Sequence, residues 1–261
     1  MTTRTAAHAL LPCLLLLPAR ALGMEVPAPH SYGQVVLGRH TGAAGIPPAV
    51  FDHWRHRARY TCRVCHVDVG FAMSAGETGI SAATNRGGFH CGACHDGKTL
   101  HAGQAIFPSC SGGADVTAGP SCARCHARSD PARLRKEYGA FAATLPRTRT
   151  GQVDWVAAEA DGSLRPADHL EGVSFARPKL QMKKEVPFQS RGWMEGVIIF
   201  SHSKHTVWNG CEVCHPEIFP STSHGATKYS MLQIAAGEAC GACHGKVAFA
   251  IAECERCHAS R

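Results

Sequence analysis

The sequence is poor in the residues from which proteins of its length normally build an interior. Only 7% of its 261 residues are aromatic and only 18% are charged, and much of the aliphatic content falls within the first 22 residues. After residue 23 no apolar run is long enough to cross a bilayer. Because Leu, Ile, Val and Phe usually form a protein core, the rest of the chain is either loosely packed or filled by something other than its own side chains.

The first 23 residues have the layout of a secretory signal peptide. Arg4 supplies the positive start, residues 9–17 form an apolar stretch interrupted by Pro12, and residues 19–21 offer small side chains at the cleavage spacing. We expect cleavage after Ala21 or Gly23; an uncleaved anchor is the alternative, although the apolar run is short for one. The signal predicts secretion across the inner membrane to the periplasm, the outer surface or the extracellular space, with no transmembrane segment left.

Most of the cysteines belong to one repeated pattern. Cys-x-x-Cys-His occurs six times and uses 12 of the 14 cysteines. The cysteine pairs are Cys62/Cys65, Cys91/Cys94, Cys122/Cys125, Cys211/Cys214, Cys240/Cys243 and Cys254/Cys257, and the histidines that follow them are His66, His95, His126, His215, His244 and His258. Disulfides are common in secreted proteins but do not need this spacing. Zinc sites use paired Cys-x-x-Cys units but do not require histidine after each second cysteine.

The spacing fits covalent attachment of haem. The two thiols add to the two vinyl groups of one haem, and the next histidine then lies under the iron as its fifth, proximal ligand. The sequence therefore predicts six covalently bound c-type haems (haem c, with iron). Six large apolar macrocycles would replace the missing aliphatic core, so we expect that the haem-free chain does not fold stably, as in small metal-dependent domains.

The chain also repeats itself. Phe51 and the first two attachment motifs recur 149 residues later, beginning at Phe200. The repeat predicts a signal peptide at 1–23, a first three-haem module at 24–130, a connector at 131–195 and a second three-haem module at 196–261. Residues 133–145 predict a short helix ended by Pro146. Residues 147–188, rich in Pro, Gly and charge, look like an extended connector that packs on the modules, and a plain linker is the favoured interpretation. Cys110 lies in a Gly-rich insertion and is assigned no role.

These features predict a mostly irregular fold with short α-helices and minimal β structure, in which two tandem three-haem modules are organised around stacked haems. Two histidines three residues apart precede the first motif of each half. On a helix they would share one face, and each ring could reach a different iron. We therefore predict distal ligands, with ordinary surface or core histidines as the alternative, at His53, His56, His202 and His205.

The Phe-x-His-x-x-His element followed by three attachment motifs resembles the class III multihaem cytochromes c, specifically the small three-haem, c-seven-type module. The half that begins at Ile199 is the closer match, with Cys214-His-Pro-Glu-Ile-Phe-Pro and Gly237-Glu-Ala-Cys-Gly-Ala-Cys-His-Gly. The resemblance leaves the connector unexplained. It implies that the first histidine of each pair ligates the haem of the first motif and the second histidine ligates the haem of the second motif.

The third haem of each module lacks an obvious sixth ligand. The family commonly places its remaining distal histidine four residues before the second motif, where this chain has Gly87 and Ala236. Met231 and Met73 are candidate ligands, with core packing as the ordinary alternative for a methionine. Competing candidates are His224, His90, His101, His40 and His169. A His/Met haem has a higher potential than a bis-His haem, so each module is predicted to hold one haem of distinct potential.

The basic net charge mainly balances the predicted cofactors. The formal charge of +7 falls to +5 without Arg4 and Arg20. Twelve propionates subtract twelve charges and six ferric haem cores add six, so the oxidised protein is near −1 and the reduced protein near −7. Nothing here favours nucleic-acid binding.

The leading hypothesis is an electron carrier or conduit without catalytic residues, because bis-His iron has no free coordination site. Its predicted partners are other redox proteins: membrane quinol-linked donors, cytochromes and terminal reductases. The alternatives are a multihaem reductase with an open haem and a structural, electron-conducting subunit assembled with other multihaem cytochromes.

Overall fold

The computed structural model describes residues 26–42, 45–110, 122–126, 130–178, 182–190, 196–223, 225 and 228–258; the predicted signal peptide lies outside them. In these ranges the chain is mostly irregular, and its regular structure consists of short helices and two-stranded sheets. The predicted fold class is confirmed. No helix in these ranges combines the length and the apolar character that a membrane span requires.

Near the start of each half an antiparallel strand pair runs directly into a helix, and the first strand of the second pair comes from the connector. Strand β1 (Gln34–Leu37) pairs with β2 (Ala49–Asp52), and the next residue starts α1 (His53–Arg57). Strand β5 (Glu185–Ser190) pairs with β6 (Gly196–Ser201), and the next residue starts α5 (His202–Asn209). The predicted helical placement of both histidine pairs is therefore found, and in each half a strand pair fixes the start of the helix. The short strands β3 (Leu100–His101) and β4 (Gln104–Ala105) form a third pair.

A second helix in each half precedes the second attachment motif. Helices α2 (Ala82–Arg86) and α6 (Met231–Ala235) both begin with a capping box, formed by Ser81 with Thr84 and by Ser230 with Gln233. Each is followed by a 3₁₀ turn, His90–Ala93 or Ala239–Ala242, which carries the motif. The other motifs lie in a π-helical segment, Val64–Asp68, in the 3₁₀ turns Cys122–Arg124 and Cys254–Arg256, and in the turn after α5.

The glycine of Cys-Gly-Ala-Cys-His lets the motif approach the preceding helix. A Cβ on Gly92 would lie 1.8 Å from the carbonyl oxygen of Asn85, and one on Gly241 would lie 1.9 Å from that of Ile234. Real side chains do not come this close to backbone. Backbone of the motif therefore packs directly on backbone of the helix, which holds the first cysteine of the motif at a fixed place beside the helix end.

The connector supplies a small apolar core. Helix α3 (Pro131–Phe141) starts after Asp130, whose side chain accepts from two backbone N–H groups, and has proline at its first position. Helix α4 (Trp155–Ala160) is capped by Asp154, whose side chain accepts the backbone N–H of Ala157. The buried residues that pack together are Trp54, Leu134, Tyr138, Ala142, Leu145, Val153 and Ala158. The predicted helix before Pro146 is present, but the plain-linker interpretation of 147–188 is wrong, because Val153 and Ala158 in that segment belong to this core.

The connector also contacts both modules. On the first module, Ala167 forms a parallel bridge with Tyr60 and accepts the backbone N–H of Thr61 at 2.9 Å. On the second, Asp154 pairs with Arg256 at 2.8 Å. The connector thus packs against both halves.

Candidate haem sites

One continuous cavity of about 1470 Å³ contains side chains from all six attachment motifs in its wall. The motif residues that line it are Cys62, Cys65, His66, Cys91, Cys94, His95, Cys125, Cys214, Cys240, Cys243, His244 and Cys257. The distal candidates His53, His56 and His205 line it as well. The residues predicted to hold haem therefore converge on a shared interior space, as cofactor-filled packing requires.

The motif cysteines are not joined to one another in the described ranges. Every cysteine in the described ranges is a free thiol. In five motifs the backbone N–H of the histidine donates to the carbonyl of the first cysteine, as in His244 to Cys240 at 2.9 Å, so the backbone of each of these motifs forms one turn. Burial raises the pKa of Cys65 and of Cys243 to about 12, which keeps these thiols protonated at neutral pH.

The proximal histidines are oriented by backbone carbonyls. In five of them Nδ1 hydrogen-bonds to a carbonyl oxygen, which leaves Nε2 as the atom available to a metal. The pairs are His66 with Phe71 at 2.9 Å, His95 with Phe107 at 3.2 Å, His126 with Pro47 at 2.8 Å, His215 with Phe219 at 2.7 Å and His244 with Phe249 at 3.4 Å. The sixth, His258, has a buried Nδ1 without a hydrogen-bond partner among the described residues.

The four predicted distal histidines follow the same rule. Their Nδ1 atoms hydrogen-bond to carbonyl oxygens, in the pairs His53 with Gly33 at 2.5 Å, His56 with Asp52 at 3.4 Å, His202 with Lys184 at 3.1 Å and His205 with Ser201 at 2.8 Å. Burial lowers the pKa of His56 to about 4 and also lowers the pKa of His205. Both rings are therefore neutral at pH 7, which is the form that ligates iron.

In each half the second distal histidine faces the proximal histidine of the second motif. The ring centroids of His56 and His95 are 6.2 Å apart, and those of His205 and His244 are also 6.2 Å apart. An imidazole nitrogen bound to a metal lies about 2.0 Å from it, and that nitrogen lies about 1.1 Å from its own ring centre. Two rings on opposite sides of one metal are thus about 6.2 Å apart. The spacing in both halves fits bis-His ligation of one iron.

Aromatic stacking holds the distal ring of each pair. Phe51 stacks on His56 with centroids 4.4 Å apart and Phe200 on His205 at 4.3 Å. At the first motif, burial is the main cause that lowers the pKa of His53, and the positive charge of protonated His66 lowers it further. His53 and His66 are therefore close enough to interact electrostatically.

The candidates for the third haem of each module are scattered. Met73, His90 and His101 line the cavity, and Nδ1 of His101 hydrogen-bonds to the Tyr60 hydroxyl at 2.7 Å. Met231 starts α6 with 50% of its surface exposed, so it is not packed in a core. His40 is exposed, the side chain of His169 is 47% exposed beside Asp168, and His224 lies outside the described residues.

Sequence reasoning missed two sets of residues. The first is the phenylalanines that follow the proximal histidines, which give both a carbonyl to Nδ1 and, for Phe107, Phe219 and Phe249, a ring beside the imidazole. A phenylalanine four or five residues after the motif was the available signal for Phe219 and Phe249. The second is Arg57, which lies between the two modules; the sequence contains no pattern that marks it.

Comparison with known proteins identifies the sequence pattern. A family model described as cytochrome c7 and related cytochrome c matches residues 49–127 and 198–259. Among solved structures, the C-terminal hexaheme fragment of GSU1996 is 23% identical with a TM-score of 0.27, over 90% of this chain and 100% of that one. The N-terminal hexaheme fragment is 22% identical with a TM-score of 0.26, over 88% and 99%. The dodecaheme cytochrome c GSU1996 is 21% identical with a TM-score of 0.27, over 87% and 74%. No curated protein matches.

Proposed function

The chain belongs to the family of cytochrome c7 and related cytochromes c, and from this premise we propose that it is a hexahaem electron carrier or conduit of the periplasm or cell exterior. As a multihaem c-type cytochrome it carries covalently bound haem and has a role in electron transfer. The number of haems, their ligands and the place of action belong to the proposal. The observation that carries it is the two facing pairs of imidazoles, His56 with His95 and His205 with His244, which have the same separation in both halves.

The residues of the chain divide the work. Twelve motif cysteines hold the haems, six proximal histidines and at least four distal histidines ligate iron, and backbone carbonyls fix the ring orientations. Iron with imidazoles on both faces exchanges electrons without binding substrate. Residues 24–130 and 196–261 each hold three haems in this proposal, and the connector 131–195 packs between them.

The haem count tests the proposal directly. We expect the mass of the mature protein from its native host, and the pyridine haemochrome assay, to give six haems per chain. Exchange of both Cys62 and Cys65 for alanine removes one haem, whereas Cys110→Ala, a matched control outside the motifs, removes none. A wild-type chain with fewer than six haems refutes the proposal.

Location and partners form a separate part of the proposal. The N-terminal 23 residues predict export, so N-terminal sequencing of the purified protein should begin after residue 21 or 23. Partner proteins would dock through weak, electrostatic contacts, as redox partners do. Recovery of the full-length chain in the cytoplasmic fraction contradicts this part alone.

A multihaem reductase is the second candidate, favoured by one observation. The Tyr60–His101 hydrogen bond lies in the cavity wall and offers a proton donor beside the haem region. Bis-His ligation by His56 and His95 would leave the second-motif iron closed, so a reductase needs an open third-motif iron. Carbon monoxide binding to the reduced wild-type protein distinguishes the two functions. Binding supports a reductase, and no binding supports a carrier.

A further inference from the structure

The segments that carry the first attachment motif of each half lie against each other. Gly210, with a φ of 65°, directly precedes the first motif of the second half. A Cβ on Gly210 would lie 3.0 Å from Cδ of Arg63, which is the residue after Cys62. Arg63 is only 6% exposed, so this contact lies in the interior. The backbone of the second half therefore approaches the first motif of the first half at the place where its own first motif begins.

An arginine of the connector joins the same two segments. Nη1 of Arg177 lies 2.7 Å from a carboxylate oxygen of Asp68, which is two residues after the proximal His66. Nε of Arg177 lies 3.9 Å from a carboxylate oxygen of Glu212, which follows the first cysteine of the second half. The side chain of Asp68 is 1% exposed, so the pair on the side of the first half is buried. The connector thus holds the two first motifs together.

The repeat shows that equivalent segments meet at this contact. The residues that correspond at the spacing of 149 positions are Arg63 with Glu212 and Asp68 with Glu217. Both side chains of the first pair approach Gly210. The carboxylate of Glu217 is close enough to His66 to interact electrostatically. Residues 61–68 therefore face residues 210–217, and the two halves meet through the same part of the repeat.

The cysteines at this contact indicate which parts of the haems would meet. A motif cysteine joins its haem at a vinyl group, so its sulfur atom marks the vinyl edge of that haem. Cys62 and Cys214 line the same cavity and are close enough to interact electrostatically. The vinyl edges of the two first-motif haems would therefore face each other across the contact between the halves.

The other motifs offer weaker routes between the halves. The third motif of the first half hydrogen-bonds to β2 of its own half. The second motif of the second half is the nearest competitor, because Cys243 is also close enough to Cys62 to interact electrostatically. Arg57 also donates to the carbonyl oxygen of Val247, beyond that motif, at 2.5 Å. In the described part of the chain, however, no ion pair joins that motif to the first motif of the first half.

We propose that electrons cross between the modules at this contact, between the haem on Cys62 and Cys65 and the haem on Cys211 and Cys214. In each crossing one electron passes from ferrous to ferric iron, so that one iron is oxidised, the other is reduced, and no bond is made or broken. The inference rests on the proposed hexahaem function and adds to it the place of crossing, at which the first haem of one module meets the first haem of the other.

Electrostatic interaction between haems reports which of them are neighbours. Oxidation adds one unit of positive charge to a haem, and this charge disfavours oxidation of the haems around it. At about 15 Å and an effective dielectric constant of about 20, one unit charge changes an equilibrium constant by about sixfold. At about 30 Å, distance and screening by salt reduce the change to less than about twofold. Neighbouring haems are thus distinguished from remote ones by the size of this change.

The test is a redox titration of the haem-loaded, full-length protein, with the haems assigned by NMR, which gives the interaction between each pair of haems. In the wild type, the largest interaction between the halves should join the two first-motif haems and be about sixfold. Exchange of both Cys62 and Cys65 for alanine should abolish it. The matched exchange of both Cys122 and Cys125 for alanine removes the third haem of the same half and should leave the interaction within about twofold of the wild type.

The inference is overturned if the largest interaction between the halves joins any other pair, such as one with the haem on Cys240 and Cys243. Interactions below about twofold for every pair between the halves also contradict it, as does an interaction that survives the loss of Cys62 and Cys65. If that variant does not load its remaining haems, the wild-type interactions decide alone. Fewer than six haems in the wild type refutes the proposed function instead, so the two failures are distinguishable.

Discussion

Substitution of the glycine in the second attachment motif should damage the half of the protein in which it lies. In Gly92→Ala the new Cβ would lie 1.8 Å from the Asn85 carbonyl oxygen, well short of the 3.0 Å below which real Cβ atoms essentially never approach. The neighbour is backbone, so no rotamer change relieves the contact. Helix α2 and the motif must move apart by more than 1 Å to bring this contact to an ordinary distance.

We expect Gly92→Ala to destabilise the haem-loaded protein by about 3 kcal/mol, the upper end of the usual cost of overpacking. For a domain of this size that corresponds to a fall of about 6–12 °C in Tm. Gly139→Ala in α3 is the matched control, because nothing lies within 4 Å of its added Cβ, and helix propensity makes it neutral or stabilising by up to about 1 kcal/mol.

Thermal unfolding followed by the haem absorption band measures this effect, and the pyridine haemochrome assay reports whether the haem on Cys91 and Cys94 is still attached. Gly241→Ala should behave in the same way in the second half. Equal Tm values and equal haem content for Gly92→Ala and Gly139→Ala would refute the argument that backbone contact positions the motif.

Three further predictions concern ligation, pH and charge. His56→Ala should open one iron, so that the reduced protein binds one more carbon monoxide per chain than the wild type, whereas His169→Ala binds no more; equal binding by all three contradicts the assignment. Stability to urea should fall as the pH drops from 6.5 to 4. In this window the unfolded chain takes up a proton on the imidazole, whose pKa is about 6.5, whereas folded His56, with a pKa of about 4, stays neutral. A urea midpoint that does not change across this window contradicts the prediction. Arg177→Gln should lower the free energy of unfolding by about 2 kcal/mol, because it leaves the Asp68 carboxylate, which is 1% exposed, without its cation. Loss of the exposed pair between Arg149 and Glu255 should lower it by less than about 1 kcal/mol. Equal urea midpoints for the two variants contradict this prediction.

The sequence predicted the fold class and the family because both depend on local spacing. Cys-x-x-Cys-His needs only one turn of backbone. The His-x-x-His pairs need only a short helix, and in both halves that helix begins at the first predicted histidine, directly after β2 or β6. The meeting of His56 with His95 across 39 positions followed from the resemblance to a family, and the structure places those rings at a spacing that suits one metal.

The connector could not be predicted in the same way. Leu134 and Tyr138 are spaced as on one face of the predicted helix, but nothing in the sequence indicates that this face meets Val153 and Trp54. These contacts depend on tertiary packing between segments that are distant in sequence. The same limit applies to Arg57, whose importance is visible only when Trp155, Trp208 and Val247 have been brought around it.

The shared core around Trp54 has a consequence for how fast charge moves along the molecule. Residues 131–178 of the connector join α1 to the second half through packed rings and ion pairs. The two halves therefore do not need to diffuse toward each other before an electron passes between them. The rate of electron transfer within the molecule should then be the same in buffer and in glycerol, whereas the rate of electron delivery by a separate partner protein should fall as the viscosity of the solvent rises.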